Sequence, residues 1–377
     1  MTSSTVVRRI PLAQPVIGER ERELVTEVLE SGVLALGNMA RAFEEGVAHV
    51  AGRRFGVACS SGTAGLHMAV RALGLGEGDE VLTTPFSFVA SANCLLYERV
   101  RPRFVDIEET TLGVDPELIA AAAGARVKGI LPVHVYGNPC QIEQIAAIAD
   151  RHGWPLIEDA CEALGSTRGG RAMGSFGVAS VFGFYPNKQI TTGEGGVVVT
   201  DDPDLAGVLR SLRNQGRDDD GSWLHHVRLG FNYRLDELSA AVGVAQLERR
   251  DALRAERARV VRGYEAILGG LDWLELPRTA PGDSVDWFVY VVRLDEGIDR
   301  ARLAGDLEEL GVATRPYFSP LHLQPAFRSL GHRSGDFPVT ERVAAATLAL
   351  PFSAALVDSD VRYVGEALIA AADRQLQ

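Results

Sequence analysis

Lysine is almost missing from this chain. Of 38 basic residues in 377, Lys128 and Lys188 alone are Lys, and the rest are Arg. Arg serves wherever a surface needs only positive charge, so a retained Lys points to a use for an amine that can lose its proton. Cysteine is sparse as well: Cys59, Cys94, Cys140 and Cys161 form no CxxC and no Cys/His pairing. That argues against a metal site and a disulfide framework, and for small buried thiols in a reducing compartment. No run of 18 apolar residues occurs, and the opening MTSSTVVRRIPLAQP lacks the apolar stretch of a secretion signal. The expectation is a cytoplasmic protein with no membrane partner. Positive charge is in deficit: 38 Lys+Arg against 50 Asp+Glu leave a net charge of −12, which repels phosphate backbones and argues against nucleic acid.

What is present is an ordinary globular composition, 46 % hydrophobic and 23 % charged, enough for a sizeable core. From about residue 54 to 200 short β-rich runs alternate with helical ones: FGVACS with AGLHMAVRAL, EVLTTP with SFVASANCLLY, RPRFVDI with PELIAAAAG, VKGILPVHVYG with CQIEQIAAIADRHG. This alternation predicts an α/β fold whose mainly parallel sheet is flanked by helices. After GFNYR a long helix over roughly 235–267 leads to two strand-like runs, a helix in DRARLAGDLEEL and a final helix near 359–375. The expected organisation is a segment 1–50, with a helix at about 19–31, packed on the main body. A large domain over 51–234 and a smaller C-terminal α+β domain over 235–377 follow.

Ligands of such sheets gather at the carboxyl ends of the strands, and four segments fall there. In CSSGTAGLHMAV, the small residues Ser60, Ser61, Gly62 and Thr63 open a helix, whose N-terminal amides suit a phosphate; a plain helix capped by Thr63 is the alternative. In WPLIEDACEALG, Asp159 ends an apolar run and needs a cationic partner or strong donors, or else is a helix cap; Glu158 should point the other way. In FGFYPNKQITTGEGG, Lys188 follows an apolar run and precedes a Gly-rich turn with two Thr, where partial desolvation favours a nucleophilic amine. Lys128 sits at the opposite end of its strand. In TTPFSFVAS, Phe86 and Phe88 lie at a strand-to-helix turn, either as core or as a stacking face. GLGEGD (74–79) follows a helix and precedes a strand, the wrong order for a dinucleotide loop, and His225 and His226 are adjacent loop residues. One ligand with a phosphate, a carbonyl, a ring cation and a flat face satisfies all four segments: pyridoxal 5'-phosphate (PLP). Asp159 would keep its ring nitrogen protonated, and Lys188 would carry it and move a proton at the substrate carbon.

The motifs IPLAQPVIGERE, SGTAGLH, PFSFVASAN, PVHVYGNPCQ, IEDACEALGS, FYPNKQITTGEGG, GFNYRLDELSAAVGVAQL and FPVTERVAAATLALP occur in order along nearly the whole chain. In this the sequence resembles the DegT-like nucleotide-sugar aminotransferases, PLP enzymes of fold type I. The resemblance implies a Schiff base on Lys188, the pyridine nitrogen on Asp159, and a phosphate at Gly62, Thr63 and Ala64. It also implies a ring stacked on Phe88 with Glu162 beside it, pyridoxamine phosphate as the alternate cofactor form, and a homodimer in which Asn232 of the partner subunit reaches the phosphate. Many members carry Ser five residues before the lysine; here Gly183 stands there, so another group or water must supply that contact. A related dehydrase branch has His at the lysine position, and Lys188 therefore favours transamination.

The activity so implied is amination of a nucleotide-linked keto-deoxy sugar by L-glutamate. Glu162 resembles the perosamine-synthase branch, which acts on GDP-4-keto-6-deoxymannose; amination at a 3-keto carbon is an alternative. Arg315, Tyr317 and His322 in RPYFSPLHLQ are candidate substrate contacts. A non-catalytic regulator binding PLP or a sugar nucleotide is a rival that the intact Lys188, Asp159 and ITTGEGG disfavour. A nicotinamide dehydrogenase would need a GxGxxG between a strand and a helix.

Overall fold

The computed structural model describes residues 8–218 and 224–376. The extreme N-terminus, MTSSTVV, lies outside the described residues. Seven strands build the main sheet: β1 (Phe55–Cys59), β2 (Glu80–Thr83), β3 (Arg101–Phe104), β4 (Val127–Leu131), β5 (Ile157–Asp159), β6 (Ala179–Gly183) and β7 (Gly196–Thr200). Ladders join β1-β7-β6-β5 and β3-β2-β4, and the parallel bridges Ile130–Leu156 and Val133–Asp159 connect β4 to β5. The order across the sheet is therefore β1-β7-β6-β5-β4-β2-β3. Six strands run one way, as the alternation predicts, and β7 runs against β6 and β1. The reason is local: the loop after β6 turns the chain straight back, pairing Gly183 with Gly196, and no crossover helix intervenes. That loop carries Lys188.

Successive strand residues feed opposite faces. Val57, Val81, Val181 and Val198 join one apolar cluster, with Leu66 and Met68 of the helix Gly62–Ala72 and Leu205 and Leu209 of the helix Pro203–Arg213. Ala58, Leu82, Phe182 and Val197 join the other, with Phe43 and Val47 of the helix Asn38–Val50 and Ile142 and Ile145 of the helix Ile142–His152. Helices thus cover both faces of an α/β sheet.

The long helix expected over 235–267 is two, Glu237–Glu248 and Arg250–Leu268. Arg249 leaves the helical path at the join, and its guanidinium pairs with Glu21 at 2.9 Å and donates to the carbonyl of Val16. The N-terminal helix Glu19–Ser31 packs there, Leu24 and Val28 against Ala241 and Ala245. Beyond it, a small antiparallel sheet orders Leu274–Glu275, Tyr290–Leu294 and Thr347–Leu350, the last a strand that sequence reading does not pick out. Helices Arg300–Glu309 and Asp358–Leu376 flank it. Among the described residues no helix is long and apolar enough to cross a membrane, and no His/Cys/Asp/Glu group is arranged to hold a metal.

Candidate active site

A cavity of about 590 Å³ opens at the carboxyl edge of the sheet. Its wall takes Gly62 and Thr63 from the turn after β1, Phe88 from the turn after β2, and Asp159 and Glu162 from the end of β5 and beyond. Lys188 enters from the loop after β6, and Tyr317 and Phe318 from the C-terminal region. Four segments chosen by their place in the strand order therefore meet in one chamber.

The loop that presents Lys188 is tied down on both sides. The Lys188 amide donates to the Tyr185 carbonyl at 2.9 Å, and the hydroxyls of Thr191 and Thr192 bond to the carbonyls of Phe184 and Glu194. Gln189 donates to the carbonyls of Glu162 and Asp286, while the buried Arg257 donates to the Gln189 carbonyl at 2.6 Å and pairs with Asp286 at 2.9 Å. Lys188 Nζ lies 3.2 Å from Glu162 Oε1 and 4.2 Å from the centre of the Phe288 ring. The amine thus sits between a carboxylate and an aromatic face, in a pocket that leaves its side chain little exposed. Glu162 also accepts the Tyr136 amide at 2.9 Å. Burial pushes its carboxyl above the ordinary value, with Lys188 and the Tyr136 amide pulling the other way.

Asp159 is buried at the end of β5. One oxygen accepts from the Ser91 hydroxyl at 2.6 Å and the other from the Cys161 amide at 3.2 Å. Its neighbour Glu158 faces the opposite side, as expected. There it accepts from the amides of Gly174, Phe176 and Gly177, from Ser180 Oγ and from His134 Nε2, and these donors bring its carboxyl down to about 2 against the cost of burial.

The helix after β1 is capped by Ser61, whose Oγ accepts from the Ala64 amide at 3.1 Å, and not by Thr63. The helix begins at Gly62, so Gly62 and Thr63 supply first-turn amides with no carbonyl inside the helix to receive them, while Ala64 is engaged by the cap. Cys161 fills the space between this turn and β6. A Cβ on Gly62 would meet its sulfur at 2.7 Å, and one on Gly183 would meet its Cβ at 3.3 Å. The side chain absent at Gly183 is room that Cys161 uses. Phe86 is wholly buried core, whereas Phe88 exposes 60 % of its surface and lines the cavity.

Of the three C-terminal candidates, Tyr317 lines the cavity, with its hydroxyl 3.5 Å from Asn187 Nδ2 and its ionisation pushed up to about 12 by burial. Arg315 is exposed, outside the lining, and turned onto the Thr314 carbonyl. His322 is buried 3.0 Å from Glu341 and does not reach the cavity, which corrects its expected contact with substrate. Asn232 is exposed and lies outside the cavity of its own chain, between Phe231 and Tyr233, whose rings stack at 4.8 Å. Lys128 is exposed at the start of β4. Sequence reasoning did not find Ser91, Tyr136, Gln189, Arg257 or Phe288. Ser91, Tyr136 and Gln189 lie within the motifs PFSFVASAN, PVHVYGNPCQ and FYPNKQITTGEGG; Arg257 and Phe288 join the site through contacts between distant segments.

The chamber combines an amine, a buried carboxylate, an exposed aromatic face and a glycine-lined helix start, a donor set that fits PLP. A family model described as the DegT/DnrJ/EryC1/StrS aminotransferase family matches residues 15–369. GDP-perosamine synthase of Caulobacter vibrioides is 39 % identical over 373 residues, 98 % of either chain. The crystal structure of DesI in the presence of its TDP-sugar product superposes with a TM-score of 0.90 at 34 % identity, covering 98 % of this chain and 94 % of that one. DesV of S. venezuelae, in complex with a ketimine intermediate, superposes with a TM-score of 0.90 at 32 % identity, covering 97 % and 99 %.

Proposed function

The chain belongs to the DegT/DnrJ/EryC1/StrS aminotransferase family and is a PLP-dependent sugar aminotransferase; from that premise we propose that it transfers an amino group from L-glutamate to the keto carbon of a nucleotide-linked 4-keto-6-deoxyhexose. The observation that carries this reading is Lys188 Nζ inside the cavity, 3.2 Å from Glu162, with the Asp159 carboxylate on the same wall. PLP supplies an electron-withdrawing ring to which substrate nitrogen is joined, so that a proton on the adjacent carbon becomes acidic.

The protein's part is to hold and to move protons. Lys188 would anchor the cofactor, and its free amine would take and return the proton at the substrate carbon. Glu162, with its carboxyl raised, takes up and returns the ammonium proton of Lys188. Asp159 would meet the ring nitrogen, Phe88 would cover a ring face, and the uncapped amides of Gly62 and Thr63, with Ala64 beside them, would receive the phosphate at the helix start. A homodimer completes the site with the partner subunit's Asn232. Tyr317 stands at the cavity wall for the sugar; Arg315 keeps a place in this reading as an exposed cation near the same segment. Four unpaired thiols, three of them buried, support a reducing, cytoplasmic setting.

The likeness to GDP-perosamine synthase supports a GDP-linked sugar as acceptor, and the resemblance carried by Glu162 points to 4-keto-6-deoxymannose. The test is spectroscopic. The PLP-loaded protein is bleached with L-glutamate, then offered GDP-linked or TDP-linked 4-keto-6-deoxyhexose. Return of the visible band with the GDP sugar supports the proposal. Return with the TDP sugar alone, or bleaching only by another donor, would refute the corresponding half.

A further inference from the structure

The motif PFSFVASAN supplies more to the cavity than Phe88. Ser91, on the helix Ala90–Tyr97, is 1 % exposed and its Oγ lies 2.6 Å from Asp159 Oδ2; Ser87 Oγ lies 2.7 Å from Ser91 Oγ. The direction of this chain follows from proton counting. An ionised carboxylate only accepts, and Ser91 has one hydroxyl proton, so that proton goes to Asp159. Ser91 Oγ must then accept, and Ser87 donates to it. Ser87 stands in the cavity wall, while Ser91 stands behind Asp159.

We propose that Ser87 and Ser91 are positioning residues: a directed pair of hydroxyls that holds the Asp159 carboxylate aimed at the cofactor's ring nitrogen. The proposal rests on the reading of this cavity as the PLP site. A donor hydrogen bond favours the charged form of a carboxylate, and a two-hydroxyl chain polarises along its length in a buried setting. The Cys161 amide holds the second oxygen, so both are anchored by the protein. Cys94 from the Ser91 helix, and Cys161 and Glu162 after β5, all lie near Asp159, which opposes the ionisation of each; Lys188 lines the same cavity. Removing the Ser91 donor weakens the anion at the ring nitrogen. The ring then withdraws fewer electrons, and the nitrogen linking cofactor to Lys188 becomes more basic.

The experiment follows the visible band of the PLP-loaded, full-length protein against pH in the parent, Ser91→Ala, Ser87→Ala and Ser91→Thr. Loss of one charge-assisted hydrogen bond is worth about tenfold, so Ser91→Ala should move the spectral midpoint up by about one pH unit. Ser87→Ala should move it the same way by less, and Ser91→Thr, which keeps the hydroxyl, should return it toward the parent. A role confined to packing would change cofactor occupancy and leave the midpoint in place. The chain is overturned if Ser91→Ala has the parent midpoint, or if Ser91→Thr shifts it as far as alanine does. Should Ser91→Ala not fold, Ser87→Ala decides by its smaller upward shift, and an unmoved midpoint there overturns the chain. A parent protein that forms no visible band with PLP would overturn the cavity reading itself, whatever the serines do.

Discussion

Lys128 and Lys188 stand at opposite edges of one sheet, and almost everything about their surroundings differs. Lys128 is the second residue of β4, at the edge where parallel strands begin, and its side chain is in water. Lys188 follows β6, at the edge where they end, and its ammonium has a carboxylate at 3.2 Å and an aromatic face at 4.2 Å. In a chain that has otherwise turned to Arg, the proposed chemistry falls to the Lys that the topology carries to the ligand edge. The two carboxylates of β5 repeat the lesson at closer range. Glu158 is saturated by five donors and holds a loop together; Asp159 takes two and keeps a side toward the cavity.

The contrast can be broken most forcefully at Lys188. Lys188→Ala should lower transamination by about 10³-fold or more, since it removes both the anchor and the proton carrier, whereas Lys128→Ala should leave the rate unchanged. Steady-state assays with glutamate and keto sugar decide this. Asp159→Asn should come next, a loss of about 10²- to 10³-fold in turnover with the thermal midpoint of the cofactor-free protein little moved.

Glu158→Gln should invert that pattern. Breaking its buried pairing should cost about 3 kcal/mol in urea unfolding while the folded fraction still binds PLP. The pH dependence separates it further. The folded-state carboxyl lies near 2 against an ordinary value of 4.5, so its stabilisation is complete above 4.5 and disappears as pH falls toward 2. Glu158→Gln should flatten that acid limb. Glu162 has the opposite sign: its raised carboxyl contributes stability at low pH that is lost as pH rises through the folded value, so Glu162→Gln should leave the acid limb intact. Unfolding curves from pH 5 downward distinguish the two. The smallest effect belongs to Lys128→Ala, within about 0.5 kcal/mol of the parent in stability, as for an exposed residue without a special role.

The same comparison explains how much of the molecule sequence discloses. The alternation of β-rich and helical runs is a local signal, and it was enough to place Gly62, Phe88, Asp159 and Lys188 at strand ends and so in one chamber. The reversed β7 was not legible, because strand direction depends on how the Lys188 loop turns back. The break at Arg249 was hidden for a related reason: it is tied to Glu21 and Val16, more than 220 residues earlier. His322 shows the converse limit, since a polar residue beside a cavity-lining Tyr looks equally available whether or not Glu341 has already claimed it. Ser91 sat in view inside a motif, but its value lies in a contact with Asp159 that spans 68 residues.

With two lysines to choose between, the central claim has a direct chemical test. The PLP-loaded protein is reduced with borohydride, digested, and mapped by mass spectrometry for the phosphopyridoxyl group. The group is expected on Lys188, and it should disappear when the protein is first bleached with L-glutamate. Labelling on Lys128, or no labelled lysine in a protein that shows the visible band, would contradict it.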